Sequence, residues 1–514
     1  MDQVTDESRT LRSLRLVALV AVLGVGLLVP LAFAPWREEV FAPAKIQALL
    51  LLTGIGLLAV GTQLLTRDVR LPPPARGVAG FRPTDVDLAA VTFGGINVIA
   101  FTHSLDHAGS WWGRFPEYQG LVTVLAYLAT YGVARAAFLP ARPARPDGRS
   151  VPLEALFGVL TVTTGLIGGY AVLQRLGLDP LWGFVERPAA TLGHANNLAA
   201  MLVVGLPGCA AVRTARRGPV RAAATLAGVL GVVGLVMSLS RGGWLAALAA
   251  GAVALALSAR RARRRRLAGA AALLIALLAA LAVVPGGKGM LTQAGARWEA
   301  LRQTDNGSTG THLALARVGV AVTLDHPWLG IGQDSFPLVA QRYAGERLPR
   351  PQARLLKSRL VESPHNTLLS VSTNAGVPGL LAYLGFVAAF ARRMLAAHRS
   401  GHRRAAPVLA ILVAYFVSSL FMTPEVSSTT WFWLIAGAAC SAVRTASHET
   451  NPTIPAESLL VNPGSRGVRS ATTVSRRASN GSPPVGAPTG GSPVQDGVPV
   501  ATAGQYCGGY CCST

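Results

Sequence analysis

A histidine and an arginine stand out in this chain as residues that could do chemistry. His365 lies in Ser363-Pro364-His365-Asn366, directly before an apolar stretch. An unperturbed histidine pKa of about 6.5 leaves the imidazole largely neutral and able to accept a proton, so His365 could act as a general base. The alternative is a histidine at the membrane interface that only hydrogen-bonds a carbonyl group.

The arginine lies in Ser240-Arg241-Gly242-Gly243, in a short turn between two long apolar stretches. A guanidinium group makes two-point contacts with phosphate oxygens, and the flanking glycines would leave room for a large anionic group. The alternative is an arginine whose charged end extends to the membrane interface without binding a ligand. These residues alone leave both interpretations open.

The elements that must position these residues are membrane helices. Of the 514 residues, 51% are hydrophobic and 14% are charged, and many apolar stretches are long enough to cross about 30 Å of hydrocarbon. Backbone groups in lipid must be satisfied within their own segment, so the stretches are expected to be helices. The sequence predicts an all-α polytopic membrane protein with about twelve transmembrane helices: Leu16–Phe33, Ala44–Leu65, Val86–Phe101, Gln119–Leu139, Leu153–Leu173, Asn197–Val212, Val220–Met237, Trp244–Leu257, Leu267–Val284, Ala375–Phe390, Pro407–Met422 and Thr430–Val443.

The positions of the arginines predict the orientation in the cytoplasmic membrane. Alternate turns are rich in arginine, above all residues 260–266, and short loops of this kind stay in the cytoplasm. Both termini are then cytoplasmic, and residues 285–374, between the ninth and tenth helices, form one large, mostly helical extracytoplasmic loop. This topology explains the net charge of +23, so no nucleic-acid partner is expected.

Three regions follow from these patterns. Residues 1–444 are expected to form the polytopic membrane domain, and residues 285–374 a catalytic loop within it. Residues 445–514, rich in Ser, Gly, Pro and Thr, are expected to be a disordered cytoplasmic tail. Cys507, Cys511 and Cys512 in that tail could suggest a metal or lipid-attachment site, but without a histidine they are one ligand short of a closed zinc site.

The large loop is unusually basic for an outer segment. Its arginines include Arg297 and Arg317, among several acidic residues. One explanation is a solvated helix face of mixed charge, and the other is binding of an anionic ligand. Composition leaves these alternatives open.

Several short motifs together resemble the O-antigen ligase and polymerase family. They are Ser240–Gly243, the turn His326–Gly332 followed by Phe336, the pair His365-Asn366, and Thr191–Ala199. The resemblance covers roughly Leu16 to Val443. It implies a membrane glycosyltransferase of the GT-C type, which passes a glycan from a polyprenyl diphosphate such as undecaprenyl diphosphate to a lipid or glycan acceptor, in lipopolysaccharide or exopolysaccharide biosynthesis.

The resemblance assigns roles to individual residues. His365 would take the acceptor's proton and Arg241 would bind the diphosphate, in an inverting reaction that needs no metal and no cofactor. The family usually has Arg and Trp where this chain has His312 and Ala316, and Gly-Asn-Pro-Asn at 193–196, which puts the second phosphate contact and Asn196 in doubt. The other candidates for binding diphosphate or glycan, or for orienting His365, are Arg187, Asn196, Arg297, His312, Arg317, Glu362 and Asn366.

Other functions remain possible at this point. The family does not distinguish ligation, polymerisation and transfer to a protein. A secondary transporter or a flippase of envelope precursors is the main alternative, since about twelve helices is also a common transporter count. A non-catalytic envelope protein is another. The apolar stretches show no clear repeat between halves and carry few charges, which argues against transport.

Overall fold

A computed structural model describes residues 2–68, 83–139, 151–258, 264, 267, 307–357, 361–422 and 424–442. Within these residues the secondary structure is helical, apart from one isolated bridge between Asp179 and Gly183. The predicted span Leu267–Val284, Arg297 and the predicted tail 445–514 lie outside the described residues, except for Leu267 itself. The helices are α1 (Asp2–Leu31), α2 (Ala42–Asp68), α3 (Asp85–Phe101), α4 (His107–Trp112), α5 (Leu121–Ala137), α6 (Val151–Arg175), α7 (Ala195–Ala215), α8 (Gly218–Met237), α9 (Arg241–Ala256), α10 (Gly307–Asp325), α11 (Phe336–Arg347), α12 (Arg350–Lys357), α13 (Thr367–Arg399), α14 (Ala405–Ser419) and α15 (Val426–Ala442).

Several of these helices are suited to a bilayer. Among the described residues, six helices, α1, α2, α6, α7, α8 and α13, are long and apolar enough to cross a membrane, and α5, α9 and α14 are shorter apolar helices. The predicted all-helical integral membrane protein is confirmed at this level. The count of twelve spans, the large loop between the ninth and tenth, and the GT-C type stay predictions.

The interior of the bundle is made of aromatic and small side chains. The rings of Phe386 and Trp433 lie 4.4 Å apart, and those of Tyr415 and Phe432 stack at 4.4 Å. A Cβ at Gly437 would meet the carbonyl oxygen of Tyr131 at 2.3 Å, so this glycine lets α15 pack directly on the backbone of α5. Close approach through small residues is the usual basis of helix packing in membranes.

A buried ion pair joins three helices at another level of the bundle. The guanidinium of Arg135 on α5 donates to the carboxylate of Asp87 on α3 at 3.2 and 3.3 Å and to the Ser441 hydroxyl on α15 at 2.6 Å. The Tyr131 hydroxyl donates to the same carboxylate at 2.6 Å. Pairing of this kind is what allows charged groups inside an apolar bundle.

The tenth predicted span, Ala375–Phe390, lies within a longer helix. The helix α13 begins at Thr367 and ends at Arg399, and its regular backbone is interrupted at Ala375 and Gly376. The turn 326–332 fills this break: the amides of Ile331 and Gly332 donate to the carbonyls of Thr373 and Asn374 at 2.8 and 3.2 Å, and the Val377 amide donates to the Pro327 carbonyl at 2.7 Å. The hydrogen bonds that α13 loses at the break are thus replaced by the turn.

The glycines of this turn explain why the motif has its sequence. Gly330 has a φ of +65°, and a Cβ there would lie 2.4 Å from the Thr373 carbonyl oxygen. A Cβ at Gly376 would lie 2.5 Å from the backbone of Trp328. The turn therefore connects α10 rigidly to α13, which matters because both helices carry candidate site residues.

Residues 307–357, in the segment for which the sequence predicts a mostly helical loop, form the three helices α10, α11 and α12. They share a small apolar core that includes Val318, Val322, Phe336 and Leu356. This core holds the start of α10 next to the segment 361–365.

Candidate functional site

A cavity of about 840 Å³ lies where several helices begin. The first residues of α2, α7, α9 and α15 line it, together with the start of α10 and the segment that precedes α13. Six of the nine predicted site residues line this cavity: Arg187, Asn196, Arg241, His312, Glu362 and His365. The structure thus brings together residues that are far apart in the sequence.

His365 is held in a strained backbone conformation. Its φ is +49°, a left-handed conformation that residues other than glycine rarely adopt, and its amide donates to the Ser363 hydroxyl at 3.4 Å. Such strain persists only where the surrounding structure enforces it. Here the enforcement comes from the start of α13, which follows directly.

Asn366 serves the fold rather than the cavity. Its side-chain oxygen accepts hydrogen bonds from the amides of Leu368 and Leu369 at 2.9 and 3.2 Å, which caps α13. Its amide nitrogen donates to the Leu420 carbonyl at 3.0 Å. It is not among the cavity-lining residues, and its contacts fix the helix start that directly follows His365.

Arg241 is the first residue of α9, and a stiff turn positions it. Ser240 caps the helix by accepting a hydrogen bond from the Gly243 amide at 3.3 Å, and Leu239 has a φ of +51°. The guanidinium of Arg187 reaches the same turn and donates to the Ser238 carbonyl at 3.2 and 3.1 Å. Two arginines are therefore brought to one side of the cavity by one turn.

The glycines after Arg241 have a packing role. A Cβ at Gly242 would lie 2.7 Å from the Cβ of Phe421, and one at Gly243 would lie 2.6 Å from the Cβ of Ala199. These glycines allow α9 to pack against α7 and the segment after α14. Both also line the cavity, so the space for a large ligand stays a prediction.

His312 and Arg317, the two candidates for a second cation on α10, have different positions. His312 lines the cavity, and its ring packs edge-on against that of His365 with centroids 5.5 Å apart. Arg317 is exposed, is not among the lining residues, and donates to the Gln352 side chain on α12 at 2.6 Å. Of these two, the cavity contains the histidine.

The contact between α10 and α13 keeps His312 beside His365. Gly319 packs against Pro364 and Leu369, and the hydroxyls of Thr323 and Ser372 lie 2.9 Å apart. Together with the turn 326–332, these contacts hold α10 against the start of α13.

A third histidine, which the sequence analysis passed over in favour of Asn196, also lines the cavity. His194 precedes α7, and its Nδ1 accepts a hydrogen bond from the Asn196 amide at 3.2 Å. Gly193 before it has a φ of +76°, and a Cβ there would lie 2.7 Å from the Phe41 ring. In the sequence, the position of His194 shortly before a predicted helix, within the motif Thr191–Ala199, was the feature that could have identified it.

Burial and neighbouring charges lower the pKa of each of the three histidines. Burial, with His312 and His194 nearby, lowers the pKa of His365 to about 4. Burial and the charge of Arg241 lower the pKa of His312, and burial with Arg187 and His312 lowers the pKa of His194. The three imidazoles and the two arginines are therefore close enough to influence one another's charge.

Carboxylates occupy another part of the lining. Burial, together with Glu39 and Asp334, raises the pKa of Glu362. Glu117 accepts a hydrogen bond from the Ser363 hydroxyl at 3.4 Å. Glu39 accepts from the amides at the start of α2, and Glu425 accepts from those of Ser427 and Ser428 at the start of α15. The cavity is therefore lined by cationic groups, among them Arg241 at the start of α9, and by carboxylates, among them Glu362.

Lys45 is a lining residue that the sequence analysis missed. It is only 2% exposed, and its ammonium donates to the carbonyls of Pro30 and Ala32 at 3.0 and 2.9 Å, which joins the end of α1 to the start of α2. A lysine inside an apolar stretch is unusual and was the available signal.

This arrangement suits a group-transfer reaction in which the leaving group is anionic. Fixed guanidinium groups can stabilise negative charge that develops on phosphate oxygens, and a neutral imidazole can accept a proton. Among the described residues, no group of His, Cys, Asp and Glu is arranged to hold a metal ion.

Comparison with known families agrees with this placement. The family model described as O-antigen ligase matches residues 226–384. This segment contains Arg241, His312, the turn 326–332 and His365. A search of curated proteins found no match to the chain.

Proposed function

We propose that the chain, whose residues 226–384 match the O-antigen ligase family model, transfers a glycan from a polyprenyl diphosphate to an acceptor hydroxyl. The family match supports ligase- or polymerase-type glycan transfer in cell-surface polysaccharide synthesis. We propose that the carrier is a polyprenyl diphosphate, with undecaprenyl diphosphate as the probe of choice, and that the reaction takes place at the outer face of the cytoplasmic membrane. We also propose that both chain termini lie in the cytoplasm.

The observation that carries the proposal is the shared cavity of His365 and Arg241. The two residues precede or begin different helices, α13 and α9, and are far apart in the chain. His312 connects them, because its ring packs on His365 and its pKa is lowered by Arg241. A proton acceptor and a phosphate-binding cation are thus within the space of one substrate.

We propose the following reaction. The acceptor hydroxyl loses its proton to His365, and its oxygen attacks the anomeric carbon. The bond from that carbon to the diphosphate oxygen breaks, and the electron pair leaves with the polyprenyl diphosphate. Attack opposite the leaving group inverts the anomeric centre. Arg241, with Arg187, stabilises the charge on the departing oxygens, which is the cationic role that the mechanism needs.

The carboxylates of the cavity suit the sugars. Carboxylates accept hydrogen bonds from sugar hydroxyls, and Glu362 and Glu117 line the cavity next to the segment that carries His365. The volume of about 840 Å³ lies within the usual range for ligand sites. We assign the arginines to the diphosphate and the carboxylates to the glycan.

The test is a transfer assay with purified protein in lipid nanodiscs. The donor is an undecaprenyl-diphosphate-linked oligosaccharide from the native host, and a chelator is present to test metal independence. His365→Ala should abolish transfer while expression and the unfolding temperature stay at wild-type values. Wild-type product from this variant would refute the role of His365.

Asn366→Ala is the matched control, because it removes the helix cap beside His365 without removing the imidazole. It should lower the unfolding temperature and reduce transfer less than His365→Ala. Product that lengthens on the carrier identifies a polymerase, and product on another lipid or a protein identifies a ligase. A wild-type protein that makes no product from a competent donor and acceptor would refute the proposed function.

A further inference from the structure

His194 has a chemical state that differs from that of His365. A neutral imidazole carries one proton, and a nitrogen that accepts a hydrogen bond cannot be the one that carries it. Because Nδ1 of His194 accepts from the Asn196 amide, the proton of the neutral ring is on Nε2. The helix cap therefore fixes the tautomer as well as the orientation of the ring.

The charges around His194 lower its pKa, which favours the neutral ring. The charged and titratable groups that line the cavity with it are Arg187, Arg241, Lys45, His312 and His365, and the carboxylates Glu39, Glu117, Glu362 and Glu425. Of these, Arg187 and His312, after burial, lower the pKa of His194. Protonation of Nδ1 would also remove the cap hydrogen bond, which acts in the same direction.

A ring in this state can donate to a substrate but cannot take its proton. Nε2–H is the donor that the cap hydrogen bond does not use, His194 lines the cavity, and Arg187, which acts on its pKa, is one of the cations assigned to the diphosphate. Donor-only groups beside guanidinium groups make an anion site, since each can contact a different phosphate oxygen.

We propose that His194 is a substrate-contacting residue that donates a hydrogen bond from Nε2–H to an oxygen of the diphosphate. Two of the three histidines then have different roles: His194 is a fixed hydrogen-bond donor to the diphosphate, and His365 accepts the proton of the acceptor hydroxyl. This inference rests on the proposed function, because it assigns a ligand within the same cavity.

Two substitutions separate this contact from the helix cap. His194→Asn retains an oxygen that can cap α7, because asparagine is a strong capping residue, but it lacks a donor at the distance of Nε2. His194→Gln places an amide donor near the position of Nε2 and weakens the cap.

The experiment measures binding of undecaprenyl diphosphate to the purified full-length protein in nanodiscs, together with its unfolding temperature. Loss of a hydrogen bond to a charged group weakens binding by about ten-fold or more. We expect that loss in His194→Asn at an unchanged unfolding temperature. His194→Gln should keep most of the affinity and unfold at a lower temperature.

Undecaprenol, which has the same chain without phosphate, is the control ligand, and its binding should be equal in all three proteins. Wild-type affinity of His194→Asn for undecaprenyl diphosphate would overturn the inference alone, as long as the wild-type protein binds and transfers. An equal loss of affinity in both variants, at a lower unfolding temperature only in His194→Gln, would also overturn it. A wild-type protein that does not bind undecaprenyl diphosphate would overturn the proposed function and this inference together.

Discussion

Adding one methyl group at Gly243 should impair glycan transfer through packing alone. The Cβ of Gly243→Ala would lie 2.6 Å from the Cβ of Ala199 and 3.1 Å from a methyl carbon of Leu235. Carbon atoms pack best at about 3.5–4.0 Å, so α9 must move away from α7 by about 1 Å. Overpacking of this kind costs about 1–3 kcal/mol of folding stability.

The movement matters because Arg241 is only two residues from the added methyl group, at the start of the same helix. A misplacement of about 1 Å can reduce a catalysed rate by about 100-fold. We therefore expect transfer by Gly243→Ala to fall by about that factor, measured as the initial rate in the nanodisc assay. Thermal unfolding of the same sample measures the accompanying loss of stability.

The chain offers a control that moves the methyl group instead of adding one. Gly243→Ala combined with Ala199→Gly removes the closest contact, and the double variant should regain at least ten-fold of the lost rate. Ala199→Gly alone should cost about 1 kcal/mol through helix propensity and leave transfer nearly unchanged. Wild-type activity of Gly243→Ala, or a double variant no better than the single one, would refute the packing argument and return Gly243 to a role in ligand approach.

Three further predictions test charge and protonation. Neutral His365 is the active form and its pKa is lowered to about 4, so kcat/KM should persist as the pH falls toward that value. The loss of kcat on acidification should begin at a higher pH, because the negative charge of bound diphosphate raises the pKa of His365. If kcat/KM and kcat were both lost near pH 6.5, in the wild type and also in Glu362→Gln, this expectation would be contradicted. Arg241→Lys should reduce transfer strongly at an unchanged unfolding temperature, because an ammonium group cannot make the two-point contact, and unchanged donor affinity would point to a purely interfacial arginine. Arg135→Met should destabilise the bundle by on the order of 3–5 kcal/mol in thermal unfolding, since it leaves Asp87 buried without its partner, and Asp87→Asn combined with it should recover part of that loss.

The same lowered pKa has a consequence for stability. The unfolded chain binds a proton at His365 below a pH of about 6.5, but the folded chain resists it until about pH 4. The contribution of this site to stability should therefore decrease as the pH falls between these values. His365→Gln should flatten that part of the stability profile.

The helical membrane architecture could be predicted from the sequence because hydropathy is a local property. A stretch of apolar residues must be helical in lipid whatever it packs against, so α2, α6 and α8 were placed within a few residues. The helix α13 extends beyond the predicted span at both ends, and the break within it is filled by the turn 326–332, a contact made by another part of the chain.

Candidate residues could also be picked from the sequence wherever a reactive type stood at the end of an apolar stretch, as His365 and Arg241 do. Their grouping was decided by the tertiary structure. Lys45 and His194 entered the cavity, and Arg317 did not, because helix packing determines which starts and ends of helices meet. The sequence by itself identifies candidate reactive residues and candidate membrane spans, because both depend on local composition. Contacts between residues more than a hundred positions apart depend on how complete helices pack together.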